Sequence, residues 1–172
     1  LAGLYLAQGQ FGEAESLYKS SVMIRLGLTR QNNLNVVDFL NNALDTAKSL
    51  DNLGTLYLAQ ERYDEAETLY KLSLTIREKY SGENGENGEN HSDTAKSFNN
   101  LGTLYLAQER YDEAEPLFQR SLAIREKVLG ENHSDIAESL NYLAKLYRSQ
   151  GRYDEAESLI QRIQSIQNPA SK

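Results

Sequence analysis

One fifteen-residue string, LGTLYLAQERYDEAE, stands letter for letter at Leu53–Glu67 and again at Leu101–Glu115. Looser copies open at Leu1, as LAGLYLAQGQFGEAE, and at Leu143, as LAKLYRSQGRYDEAE. A unit this short cannot bury its own apolar face, so each copy must stack on the next, and the period of the repeat decides the fold. The four copies are spaced by 52, 48 and 42 residues, and Ile24, Ile76, Ile124 and Ile166 keep those same intervals. Length therefore varies in the connections, while the packed part of each unit stays constant.

Within a copy the apolar residues recur at helical intervals, as in Leu50, Leu53 and Tyr57, then Ala66, Leu69, Tyr70 and Leu74. Two helices per copy are implied, broken at AQER or SQGR. Asp64, Asp112 and Asp154 are placed to cap the second helices, with Glu67, Glu115 and Glu157 completing capping boxes, and Asp93 and Asp135 to open first helices. Arg77, Lys79, Arg125 and Lys127 gather where the second helices end, next to the negative pole of the helix dipole. The intervals among Val36, Val37, Leu40, Ala43 and Leu44 predict a lengthened first helix in the second copy, or a short extra one.

These residues resemble the tetratricopeptide repeat family, whose helix pairs run for about 34 residues. The second copy supplies Leu50, Leu53, Gly54, Tyr57, Ala66, Tyr70 and Ser73 at the family's positions 4, 7, 8, 11, 20, 24 and 27. The third supplies Phe98, Leu101, Gly102, Tyr105, Ala114, Phe118 and Ser121, and the fourth gives Leu140, Leu143, Ala144, Tyr147, Ala156 and Ile160 but has Ile163 where a small residue belongs. Nine of the eleven tyrosines fall on positions 11, 17 or 24, taken as core. The wording NNLGTLY, YDEAEPLF and AIREKVLGENH, with the 42-residue spacing of the last copies, is similar more narrowly to the kinesin-light-chain type of repeat. The resemblance implies an all-α tetratricopeptide-repeat solenoid, a right-handed superhelix of antiparallel helix pairs. It covers residues 1–172 as one array, with repeats near 1–28 (truncated), 47–80, 95–128 and 137–170, and insertions at 29–45 and 81–92.

Net charge of −7 repels nucleic-acid phosphates and anionic lipid, so neither is expected as a partner. The absence of cysteine excludes disulfides and thiolate chemistry, and no apolar run reaches membrane-spanning length. A cytoplasmic location is expected. The triplicated GEN of SGENGENGENHSD, Ser81 to Asp93, lies in a connection where added length costs only about 0.6 kcal/mol per doubling. Glu83, Glu86 and Glu89 lack the spacing of a calcium loop, so the stretch reads as solvated connection, with no metal or cofactor. His91 and His133 hold matching positions before a helix start, without a nucleophile or third ligand nearby in sequence, and no enzyme is expected.

Function must then lie on the surface. The resemblance implies a concave groove lined by the first helices, through Lys48, Asn52 and Thr55; Lys96, Asn99, Asn100 and Thr103; and Asn141, Tyr142, Lys145 and Arg148. Lys48, Lys96, Lys145 and Arg148 against Asp51 and Glu138 make this groove positive in a negative chain, and the carboxamides can pair with both N–H and C=O of an extended peptide. In relatives that grip a C-terminal carboxylate, Lys at position 2 and Asn at 6 belong to the clamp, and Lys48 with Asn52 and Lys96 with Asn100 match them. The clamp's further Lys and Asn are absent, since Asp51 and Thr55 stand there. Tyr142, Lys145 and Arg148, three apart, are expected to join an aromatic platform to two cations.

The expected function is a protein–protein interaction scaffold that takes an acidic extended peptide or a partner helix. The alternative is a regulatory or oligomerising array of a larger signalling ATPase or protease. Leu1 begins inside a repeat and Ile160, Ile163 and Ile166 form an apolar stripe, so end-to-end self-association through the terminal repeats is expected as well.

Overall fold

The computed structural model describes residues 2–29, 36–81 and 88–168, and every regular element among them is an α-helix. In order these are α1 (Ala2–Ala7), α2 (Phe11–Thr29), α3 (Val36–Ala59), α4 (Tyr63–Ser81), α5 (Gly88–Ala107), α6 (Tyr111–Leu129), α7 (Ser134–Ser149) and α8 (Tyr153–Gln167). They fall into two compact units, Leu1–Glu86 with α1–α4 and Asn87–Lys172 with α5–α8, each holding two helix pairs. The fold is all-α and of the tetratricopeptide type.

The second and third pairs close on a contact that a side chain would block. A Cβ added to Gly54 would lie 2.7 Å from the Tyr70 ring, and one added to Gly102 would lie 2.6 Å from Phe118. Here glycine lets an aromatic ring of α4 or α6 press against the backbone of α3 or α5, and Tyr70 and Phe118 are fully buried as a result. The fourth copy fills the two positions with Ala144 and the smaller Ile160 instead. Ala14, Ala66, Ala114 and Ala156 are all buried, which keeps the paired helices close at the other side of the contact.

The turn between paired helices is the same each time. Arg62 N–H bonds Tyr57 O at 2.9 Å and Glu61 N–H bonds Leu58 O at 3.0 Å, the double closure of a Schellman motif. Its left-handed residue is glycine in two copies, Gly9 at φ 71° and Gly151 at φ 75°, but a glutamate in the other two, Glu61 and Glu109, each at φ 59°. Arg62, Arg110 and Arg152 then fold back over Tyr57, Tyr105 and Tyr147, with guanidinium carbons 3.8, 4.0 and 3.8 Å from the ring centres.

The caps differ from the sequence expectation. α6 and α8 start at Tyr111 and Tyr153, one residue before the aspartates, and Arg110 and Arg152 at their caps make no side-chain cap bond. Asp64, Asp112 and Asp154 lie inside the first turn, where their charge favours the dipole without capping. Arginine reaches forward instead, Arg62 Nε to Glu65 at 2.7 Å, Arg110 Nε to Glu113 at 2.6 Å and Arg152 Nε to Glu155 at 2.7 Å. The expected box glutamate Glu115 looks to the next pair, accepting Tyr147 Oη at 2.9 Å and Arg152 Nη1 at 2.8 Å. Glu15 takes Tyr57 Oη and Arg62 Nη1 in the same way, at 3.0 and 3.2 Å. These carboxylates tie successive repeats together within each unit.

α3 begins at Val36 and so absorbs much of the first insertion as extra helix. α5 begins at Gly88, which puts Asp93 inside the helix and takes the end of the second insertion with it. Residues 82–87, and with them the reading of Glu83 and Glu86 as a solvated connection, lie outside the described residues. His133, not Asp135, caps α7, its Nδ1 accepting Asp135 N–H at 3.2 Å. The expected apolar stripe is partly internal, because Ile163 is buried against Ile136, Ala137 and Leu140, with Ile166 beside them. Tyr153, at core position 17, is 69% exposed.

Candidate peptide-binding site

α7 presents two faces. Ile136, Ala137, Leu140, Leu143 and Ala144 are buried, while Glu138, Asn141, Lys145 and Arg148 are exposed. Asn141, Lys145 and Arg148 recur at four- and three-residue steps, which stacks them on one stripe of the helix. Together with Ala144, Ser149 and Ile160 they line a depression of about 720 Å³. No carboxylate lines it, and among the described residues none pairs with Lys145 or Arg148. The depression offers two cations, a carboxamide and the side of an isoleucine.

Tyr142 does not join that stripe. Its ring stacks on Phe118 with centroids 5.3 Å apart and planes 13° from parallel. Burial raises its phenol pKa above the ordinary value of 10.0, and the neighbouring Glu138 carboxylate adds to the rise while Arg125 opposes it. Asn141 therefore takes the place beside the cations that spacing alone gave to Tyr142, and Ile160 supplies the apolar surface. The four-residue step from Asn141 to Lys145 was the signal for the first; nothing short of the helix pairing revealed the second.

The carboxylates counted against the groove cations serve the interior instead. Asp51 is buried and accepts Arg77 Nη2 at 3.1 Å, with Arg77 buried too. Arg125 is 1% exposed, donates to Asp135 O at 2.7 Å and Ser139 Oγ at 3.1 Å, and lies 2.6 Å from Glu138 Oε2. Arg77 and Arg125, read from sequence as dipole partners, are interior ion-pair residues. Asp51 is thus removed from the charge of the exposed face of α3.

Of the other expected groove residues, Lys48 and Thr55 are exposed on α3 and Asn52 is half-buried. Thr55 Oγ1 already donates to Asp51 O at 3.0 Å and receives Tyr70 Oη at 3.1 Å. On α5, Lys96 is exposed 3.8 Å from Asp93, Asn100 and Thr103 are half-buried, and Asn99 is buried with neither amide atom bonded. Asn99 is thus not a surface ligand in this conformation. Among the described residues no cluster of three His, Asp or Glu is arranged to hold a metal ion, and no helix is long and apolar enough to cross a membrane.

The sequence pattern of the tetratricopeptide repeat family matches residues 30–79, 45–127 and 93–168. No curated protein sequence matches the chain. Among solved structures, the nearly identical TPR-like repeats of a Podosopora anserina protein described as a kinesin light chain superpose with TM-score 0.71 at 24% identity, over 100% of this chain and 74% of that one. BtubC (BKLC) from P. vanneervenii gives TM-score 0.62 at 20% identity over 98% of this chain and 78% of its own, and MamA gives 0.55 at 14% over 98% and 95%. At these identities the likeness is one of fold. By its sequence pattern and its fold alike, the chain belongs to the tetratricopeptide repeat family.

Proposed function

We propose that the chain is an interaction scaffold that takes an acidic, extended peptide with an aliphatic anchor along α7. The observation that carries this reading is the depression lined by Asn141, Lys145, Arg148 and Ile160, whose cations have no carboxylate partner among the described residues of a chain of net charge −7. A peptide carboxylate would pair with Lys145 or Arg148, the Asn141 carboxamide would hold peptide backbone, and a leucine-sized side chain would lie on Ile160. Lys96, Asn100 and Thr103 on α5 offer similar polar chemistry in the second unit, and Lys48 and Asn52 on α3 offer it separately in the first. The probe is a fluorescein-labelled, amidated Glu-Glu-Leu-Glu-Glu peptide. Lys145→Glu with Arg148→Glu should weaken its binding by more than about tenfold, with the helical spectrum unchanged. Equal affinity of the double variant and the wild type would place the ligand elsewhere.

A second reading, an oligomerising array, is favoured by one feature of the first unit: Leu4, Met23 and Ile24 are large, apolar and exposed. Their burial against a second copy would make the terminal repeats self-associate end to end. Light scattering should then show concentration-dependent mass that Met23→Asp with Ile24→Asp abolishes; a constant monomer mass at high concentration would contradict it.

A further inference from the structure

The buried arginines of the two units are neutralised in different ways, and the difference leaves one of them open to exchange. Arg77 has a permanent partner, the buried Asp51 of its own repeat, joined by an aligned hydrogen bond of 3.1 Å. Forty-eight residues on, Arg125 holds the position of Arg77, but Asn99 holds that of Asp51. An amide brings no charge, and Asn99, 2% exposed, leaves both its oxygen and its nitrogen without a partner. Arg125 Nε is likewise unbonded.

Among the described residues the one carboxylate within ion-pairing distance of Arg125 is Glu138, from the first turns of the neighbouring α7, and its side chain is 48% exposed. At 2.6 Å it is close enough to balance the charge, yet it lacks a hydrogen bond's alignment with Nη2. A fully buried guanidinium requires an anion, because leaving such a charge unpaired away from water is costly. An exposed, poorly aligned glutamate is an anion that another carboxylate can replace. Asn141 lies three residues beyond Glu138 on α7, and Lys145 and Arg148 follow, so the pair sits at one end of the stripe that lines the depression.

We propose that Arg125 and Asn99 form a carboxylate subsite that Glu138 occupies in the unliganded protein as a built-in substitute for an acidic side chain of the peptide. On binding, the peptide carboxylate takes the Arg125 guanidinium, the amide of Asn99, which holds the repeat position of Asp51, turns to donate to it, and Glu138 swings into water. This rests on the reading of α7 as an acidic-peptide site and assigns one charge of that peptide a specific seat. Repeat two, with Asp51 fixed against Arg77, has no such exchangeable seat.

The test uses the same labelled, amidated Glu-Glu-Leu-Glu-Glu peptide. Glu138→Gln removes the competing carboxylate and should tighten binding by at least about threefold. Asn99→Asp recreates the Asp51–Arg77 arrangement, supplies Arg125 with a buried partner, and should weaken binding by at least about fivefold. The double variant, Asn99→Asp with Glu138→Gln, restores the wild-type net charge. If charge at a distance were the whole effect it would bind as the wild type does, whereas the subsite requires it to bind as weakly as Asn99→Asp alone. Unchanged affinity in Glu138→Gln, or wild-type affinity in the double variant, overturns the subsite. If these variants have no effect while Lys145→Glu with Arg148→Glu still weakens binding, the site along α7 stands without the subsite. If the lysine–arginine reversal also has no effect, the α7 reading itself fails. A circular dichroism spectrum and an unfolding transition for each variant establish that it is folded, and Glu138→Gln, at an exposed position, carries the decision should Asn99→Asp not fold.

Discussion

Single residues set the turns and the charge balance. Glu61 and Glu109 hold the left-handed corner of a Schellman turn at φ 59°, where Gly9 and Gly151 serve the other copies. A side chain costs about 1–2 kcal/mol in that conformation, partly offset by the greater freedom that glycine has in the unfolded chain. Glu109→Gly should therefore raise stability by about 0.5–1 kcal/mol, read as a higher urea midpoint with an unchanged slope. A lowered midpoint would mean that the glutamate side chain contributes more than its backbone costs. Glu15, Glu65 and Glu155 are held below their ordinary pKa of 4.5, Glu15 first by its bond from Lys19, Glu65 and Glu155 by Arg62 and Arg152. Because the folded pKa lies below the unfolded one, the stabilisation is complete above pH 4.5 and is lost as pH falls through the depressed values. The urea midpoint should be flat from about pH 7 to 5 and drop below that, and the drop should be shallower when all three are changed to Gln.

At the scale of the helix pair, size matching across the contact is the governing term. Gly102→Ala would drive a methyl into Phe118, at a cost of about 1–3 kcal/mol. Phe118→Ile, which copies the Ala144 and Ile160 pairing of repeat four, should relieve that cost, so a double-mutant cycle should show a coupling of about 1 kcal/mol or more. Additive losses would mean that the ring and the glycine do not share the contact. The pairing was legible in the sequence because a glycine or alanine on one helix and a large apolar or aromatic residue on the other recur at fixed helical steps in every copy. The helix starts were not. Aspartate and glutamate three apart also describe a capping box, but here Arg152 and Tyr147 draw Glu115 across to the next pair, a tertiary preference that local spacing does not carry. Tyr142 was misplaced for a related reason, since its neighbour on the stripe is decided by Phe118 in another helix. The exposure of Lys145 and Arg148 was legible because it depends on little beyond the register of their own helix.

At the scale of the whole molecule, an acidic chain keeps a small group of uncompensated cations beside an apolar floor, and that contrast defines where a ligand of opposite charge would go. Association with an acidic peptide should be steered by this local field and should weaken as added salt shortens the screening length below about 8 Å. The most direct measurement is a map of backbone amide chemical shifts during titration with the amidated Glu-Glu-Leu-Glu-Glu peptide. Saturable shifts concentrated at Asn141, Ala144, Lys145, Arg148 and Ile160, and absent in the Lys145→Glu, Arg148→Glu variant, are the predicted result. Saturable shifts confined to other helices, with those five residues unmoved, would contradict it.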